Sequence, residues 1–188
     1  MVRPHLMDIA LYGGSFDPPH IGHIKIINKA LEVLDIEKLI VVPTFVNPFK
    51  QGTHAPAPLR VQWLETIFKE TSNVEVSSFE VDQKRAVTSI ETVEHYKKVM
   101  QNIYFIIGAD NLEKLTSWSE FERLDSLVTW VIAKRDKIAV DKKFITLDID
   151  EPVSSTTLRN KINQAQLPQE VALSIKTFFK EHHARTHS

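Results

Sequence analysis

The chain contains no cysteine. Disulfides, thiol catalysis and cysteine-ligated metals are therefore excluded, and the absence fits a reducing compartment. It also has almost no net charge: 23 Lys and Arg stand against 24 Asp and Glu, a formal charge of −1. That balance gives no reason to expect nucleic acid or an anionic membrane as a partner. No apolar run approaches the ~18 residues that a spanning helix needs. No basic-then-apolar segment opens the chain as a secretion signal would. A cytoplasmic location is the expectation. Repeats, low-complexity tracts and a dividing linker are absent as well. Residues 1–7 do not continue the strand pattern, and residues 182–188 are polar. Both ends are expected to be flexible around one domain over residues 8–181. The oligomeric state is left open, a homodimer included.

What is present is an ordinary globular composition, 43% hydrophobic and 25% charged over 188 residues, enough for one domain with a sizeable core. Apolar runs at residues 9–12, 39–43, 104–110, 127–133 and 144–147 read as buried strands, with a short strand at 74–76. Between them, helical stripes run over residues 24–34, 59–69 and 89–100, with Thr88 or Ser89 as cap of the last. Two further helices close the chain at residues 154–164 and 168–181. Residues 44–58 form a long loop with Pro48, Pro56, Pro58 and Gly52, and residues 79–86 are charged and irregular. Alternating strands and helices predict one Rossmann-like α/β domain of three layers, with a mostly parallel sheet.

The stretch that organises the chain is Gly13-Gly14-Ser15-Phe16-Asp17-Pro18-Pro19-His20-Ile21-Gly22-His23. It joins the first strand to the first helix. In such sheets a ligand usually sits beyond the end of that strand. Glycines let backbone N–H groups approach a phosphate, and the helix N-terminus adds partial positive charge. His20 and His23 share the first helical turn and can point into one space. Capping and local hydrogen bonding would be the plain account of them. Zinc is disfavoured, since no third ligand stands at suggestive spacing. Charge stabilisation on a phosphoryl group suits the pair better.

Near the other end, Ser154-Ser155-Thr156-Thr157-Leu158-Arg159 offers hydroxyls at a helix start and a guanidinium one turn on. Ser and Thr are ordinary N-caps. Arg159 makes the segment a plausible second anion site, so that the two stretches together could grip a triphosphate.

The two stretches together resemble the (H/T)-x-G-H and S-S/T-T-x-x-R signatures of the nucleotidylyltransferase superfamily. Residues 105–112, with Gly108 and Asp110, followed by Trp118, resemble the G-x-D…W segment of the bacterial nicotinate-nucleotide adenylyltransferase family, and residues 43–50 fall where that family has its P-x-H-K/R loop. The resemblance implies that ATP and nicotinate mononucleotide give deamido-NAD and pyrophosphate. It implies that His20 and His23 contact the ATP phosphates, His23 nearest the reacting one, with Gly13, Gly14, Ser15 and Phe16 lining them. Ser155, Thr156 and Arg159 would hold the leaving pyrophosphate, Gly108 and Asp110 the ribose, and Arg135 the adenine. On the acceptor side it implies Asn47, Lys50, Thr88, Ser89, Thr92, Trp118 and Ser119, with Trp118 stacked on the pyridine ring. Core packing is the plain alternative for Trp118, and Trp130, in a strand, is expected to be structural. Mg²⁺ is expected with ATP, held mainly by phosphates, with no protein metal site.

Three positions depart from the family pattern. Phe49 stands where the loop usually has histidine. Val87-Thr88-Ser89-Ile90-Glu91-Thr92 lacks the tyrosine of S-Y-T-x-x-T. Ser119 follows Trp118 where an aromatic is common. These bear on the acceptor, so adenylyl transfer to nicotinamide mononucleotide or another phosphorylated acceptor stays open. A non-catalytic nucleotide-binding module is the rival from another class.

Overall fold

The computed structural model describes residues 7–46, 53–134, 139–150 and 154–186. Six strands form one sheet in the order β3-β2-β1-β4-β5-β6, every neighbouring pair parallel. They are β1 (Met7–Gly14), β2 (Lys38–Pro43), β3 (Val74–Val76), β4 (Met100–Gly108), β5 (Thr129–Lys134) and β6 (Ile145–Asp148). The mostly parallel expectation thus becomes a wholly parallel sheet among the described strands. β1 is central because it is apolar at every position from Ile9 to Tyr12, and such a run is stable only when both faces are covered.

The period-2 alternation of β1 divides the core. Ala10 and Tyr12 face one cluster with Ile26, Ile27 and Ala30 of α1 (Ile21–Val33) and Leu64 of α2 (Ala57–Phe68). Ile9 and Leu11 face the other, with Ile90 and Val93 of α4 (Ser89–Lys97), Leu124 of α5 (Phe121–Leu127) and Trp130 of β5. Trp130 is buried there, as expected, and its indole N–H donates to Asp125 at 2.7 Å. A third cluster seats α6 (Ser155–Asn160) and α7 (Ala172–Thr186) on α2 through Trp63, Leu158, Ile175 and Phe179. β1 pairs with β2 on one side and β4 on the other, Leu11 opposite Ile40 and Phe105. The chain therefore winds outward in both directions from the β1/β4 pair, which creates a crevice at their carboxyl ends.

Several boundaries differ from the sequence reading. β1 begins at Met7, and α7 runs to Thr186, past residue 181. The His182 ring lies nearly parallel to Phe178, at 5.9 Å, and edge-on to His54, which keeps the helix going into the polar tail. Residues 79–86 are not wholly irregular: Phe79–Asp82 is a helical turn, α3, with Glu80 and Val81 buried and Phe79 stacked on His95. α4 stops at Lys97, and Met100, read as the end of that helix, opens β4. Leu127 ends α5 rather than starting β5. α6 ends at Asn160, and a separate 3₁₀ turn covers Gln164–Gln166.

Phe179 is fully buried between α7 and α2. Phe179→Ala is expected to cost about 3–5 kcal/mol by cavity formation. Urea denaturation measures it, and a loss under about 1 kcal/mol, the range of surface substitutions, would show that α7 does not depend on this seat.

Candidate active site

The crevice at the β1/β4 switch is a cleft of about 830 Å³. Its floor is the turn between β1 and α1. Gly14 packs closely there: a Cβ at that position would come within 3.1 Å of the Phe16 ring, which would have to give by a few tenths of an ångström. Phe16 itself has φ 48°, a left-handed conformation that costs a non-glycine residue about 1–2 kcal/mol. Burial of the ring to 1% exposure, edge-on to Tyr12 and His23, offsets that cost. The Asp17–Pro18 peptide is cis.

The turn is held from outside by its carbonyls. Arg60 of α2, fully buried, donates from Nη1 to Ser15 O at 2.5 Å. The same guanidinium donates to Ala55 O at 3.0 Å and to Thr44 O and Phe45 O at 2.8 and 3.1 Å. Burial pulls the Arg60 pKa down from its ordinary value, and nearby Asp17 opposes that shift. From the other side of the turn, Arg159 Nη1 donates to Asp17 O at 2.7 Å and Ser155 Oγ to Pro18 O at 2.9 Å. The Asp17 carboxylate accepts from the backbone N–H groups of His54 and Ala55 at 2.7 and 3.0 Å. Three carbonyls of the turn are thereby satisfied by side chains from α2 and α6.

His20 caps α1 in an extended conformation and His23 occupies its first turn. Their rings stack with centroids 3.7 Å apart and 21° between planes. The His20 backbone N–H donates to His23 Nδ1 at 3.1 Å. A neutral His23 accepting there carries its proton on Nε2. Both histidines are buried against protein on one side and line the cleft.

The opposite rim follows β4. Gly108 leads into a 3₁₀ segment, Ala109–Ser117. A Cβ at Gly108 would lie 2.3 Å from Asp110 Oδ1, so glycine lets the carboxylate fold back over the backbone. Asn111 Nδ2 donates to Gly108 O at 3.3 Å. Trp118 is half-buried. It packs edge-on against Phe105 and Trp130 and also lines the cleft, so core packing and exposure to a ligand coexist in one side chain.

The α4 wall departs from expectation in detail. Thr88, Ser89 and Thr92 all line the cleft, but the Thr88 hydroxyl is engaged in a capping box with Glu91. Thr92 Oγ1, 2% exposed as a residue, donates to Glu80 Oε1 at 2.6 Å. Burial pushes the Glu80 carboxyl up to about 7; Thr92 opposes the shift and Glu91 reinforces it.

Of the expected site residues, Gly13, Gly14, Ser15, Phe16, His20, His23, Gly108, Asp110, Ser155, Thr156, Thr88, Ser89, Thr92, Trp118 and Ser119 line this one cleft. Arg159 stands behind Thr156 at the edge of the cleft, donating to Asp17 O and Thr156 Oγ1. Phe16 contributes backbone, its ring being in the core. Asn47, Phe49, Lys50 and Arg135 lie outside the described residues. Sequence reasoning missed Asp17, Arg60 and Glu80. One signal existed for Arg60: it shares an every-fourth-residue stripe with Leu64 and Phe68, which puts a charge on the buried face of α2. Among the described residues no group of three or more His, Asp or Glu could hold a metal ion.

A cytidylyltransferase-like family model matches residues 11–161. The chain belongs to that family. Curated relatives include a Sulfurimonas denitrificans protein, 51% identical over 95% of this chain and 98% of its own length. A Campylobacter jejuni protein is 44% identical over 93% and 98%. Both are named probable nicotinate-nucleotide adenylyltransferase. Two structures of Plasmodium falciparum nicotinic acid mononucleotide adenylyltransferase, complexed with NaAD and with APC, share the cytidylyltransferase-like fold. Their TM-scores are 0.75 and 0.71 at 19% and 18% identity, each covering 94% of this chain and 97% and 98% of their own. The family match spans both the His20–His23 turn and α6, the two segments that meet at Asp17 and Pro18.

Arg60→Ala would leave four carbonyls without their donor, two of them buried and two half-buried. A loss of about 3 kcal/mol or more is expected. Arg60→Lys is expected to recover only part of it, because a point cation cannot reproduce the planar fork. Urea midpoints of the two variants provide the check; equal stability of wild type and Arg60→Ala contradicts the bracing role.

Proposed function

We propose that this chain is a nicotinate-nucleotide adenylyltransferase, forming deamido-NAD and pyrophosphate from ATP and nicotinate mononucleotide. The observation that carries the reading is the convergence of the stacked His20–His23 pair, Asp110 and Trp118 on one cleft at the β1/β4 switch. The names and near full-length identity of the curated relatives support it.

In this reading the acceptor phosphate attacks the α-phosphorus of ATP in line. An acceptor oxygen–phosphorus bond forms, the bond from the α-phosphorus to the bridging oxygen breaks, and pyrophosphate leaves with that electron pair. The attacking oxygen is already anionic, so no general base and no covalent intermediate are needed. Catalysis then consists of positioning and charge stabilisation. His23, its Nδ1 occupied by the His20 N–H, is suited to donate from Nε2 to an oxygen of the reacting phosphate. The N-terminus of α1 adds its dipole. Ser155 and Thr156 are the proposed contacts to the leaving pyrophosphate, with Arg159 bracing the turn behind them. Asp110 is the proposed ribose acceptor. Trp118 is the proposed stacking partner of the pyridine ring, with Thr88 and Ser89 near its substituent. Magnesium enters as part of the ATP substrate, neutralising its phosphates, which accords with the hydroxyl and imidazole character of this end of the cleft. The cysteine-free composition supports a cytoplasmic setting.

Pyrophosphate release with ATP and each mononucleotide tests the assignment. Release with nicotinate mononucleotide and much less with the amide is expected. Preference for the amide would reassign the acceptor, and no release with either would overturn the reading. His23→Ala is expected to lower kcat at least about 100-fold, the scale of losing one key donor. Near-normal turnover in that variant would remove His23 from its role.

A further inference from the structure

Glu80 is not explained by the reaction above. It sits on α3, a single helical turn, and is one of the residues that line the cleft, together with Val87, Thr88, Ser89 and Thr92. Only 6% of the residue is exposed, and Thr92 donates to it at 2.6 Å. An acidic group in the wall of a site for anionic substrates opposes the purpose of the rest of the cleft if it is always ionised. We propose that Glu80 is a specificity-determining residue: its charge state sets the preference between an acidic and an amide pyridine substituent brought to the α4 wall. The inference rests on the reading that the acceptor's ring enters beside Thr88 and Ser89.

The chemistry is direct. A nicotinate carboxylate keeps its negative charge across the neutral pH range and is repelled by an ionised Glu80. The same carboxyl, protonated, is neutral and can donate a hydrogen bond. An amide substituent is uncharged and carries N–H donors that an ionised Glu80 can accept. Burial holds the Glu80 carboxyl near neutrality, at about 7, so both states are within physiological reach. Binding of an acidic acceptor would therefore favour uptake of a proton at Glu80, and binding of the amide would not. The titratable groups around it are Glu91, Tyr96 and His95 on α4, the last stacked on Phe79 and held below its ordinary value mainly by burial, with Glu75 of β3 acting on Tyr96 and His20, His23 and Asp110 elsewhere in the same cleft. Glu91 is paired with Arg85 and held down to about 2, so it stays ionised through the relevant range. Tyr96, pushed above its ordinary value mainly by burial, stays neutral there.

The two acceptors share ATP, the ribose and the phosphate. Titration of His20, His23 or the acceptor phosphate therefore acts on both and tends to cancel in their ratio. The experiment measures kcat/KM for nicotinate and nicotinamide mononucleotides by pyrophosphate release from about pH 5.5 to about pH 8.5, spanning the shifted carboxyl. In the wild type, the acid-to-amide ratio is expected to fall about tenfold or more as pH rises through neutrality, the scale of one like-charge contact at partly screened range. In Glu80→Gln the ratio should be flat. Thr92→Val, which removes the bond favouring the ionised form, should move the inflection to higher pH; this variant serves if Glu80→Gln does not fold. A wild-type ratio independent of pH, or the same profile in Glu80→Gln, overturns the inference while leaving the adenylyltransferase reading intact. Absence of turnover with both acceptors at every pH overturns that reading and this inference with it.

Discussion

The guanidinium of Arg60 has no exposed surface and spends its donors on backbone carbonyls of two different loops. A buried cation of this kind is tolerable because four of its five N–H groups donate to carbonyls and Asp17 lies close by. The site depends on this one contact in a specific sense. The turn between β1 and α1 has no regular structure of its own to hold it, so its geometry is imposed by α2 behind it. With Arg159 and Ser155 gripping the same turn from α6, segments far apart in sequence fix a few residues between them.

The sheet explains why these residues meet. A parallel strand order that winds away from β1 on one side and from β4 on the other leaves two loops facing each other without a crossing connection between them. One loop brings imidazoles and a helix N-terminus, the other a carboxylate and an indole. Each belongs to a strand buried on both faces. Groups mounted on such strands have little freedom to drift, which suits a reaction that relies on alignment rather than on a covalent intermediate.

The central strands, α1 and the parallel architecture were legible because long apolar runs and helical stripes are strong signals. The His20–His23 turn and the 154–159 segment stood out from residue type and position, and the fold brings both to one cleft. What escaped were interactions without local periodicity. Glu80 looked like one more charge in a polar stretch, and only its contact with Thr92 across twelve residues of chain reveals a buried carboxyl. Asp17 stood in the motif but its partners, His54 and Ala55, lie in a proline-rich loop whose path no pattern foretells. Arg159 was expected at phosphate because a guanidinium near hydroxyls suits that task; its bond to the Asp17 carbonyl, 142 residues away in the chain, is a contact that no local pattern foretells. The tail was read as loose from its polarity, whereas ring contacts of His182 carry α7 onward.

The hydrogen bond from the His20 backbone to His23 Nδ1 has a consequence for how this site could change over evolutionary time. The two imidazoles and the first turn of α1 are one mechanical piece: moving either ring means re-cutting the helix start that supports it. The α3 and α4 wall, where we place acceptor preference, is a separate element from that piece. The fold therefore separates the proposed reaction centre from a wall that can be remodelled independently, so that substrate range could diversify without rebuilding the helix start that carries the two imidazoles.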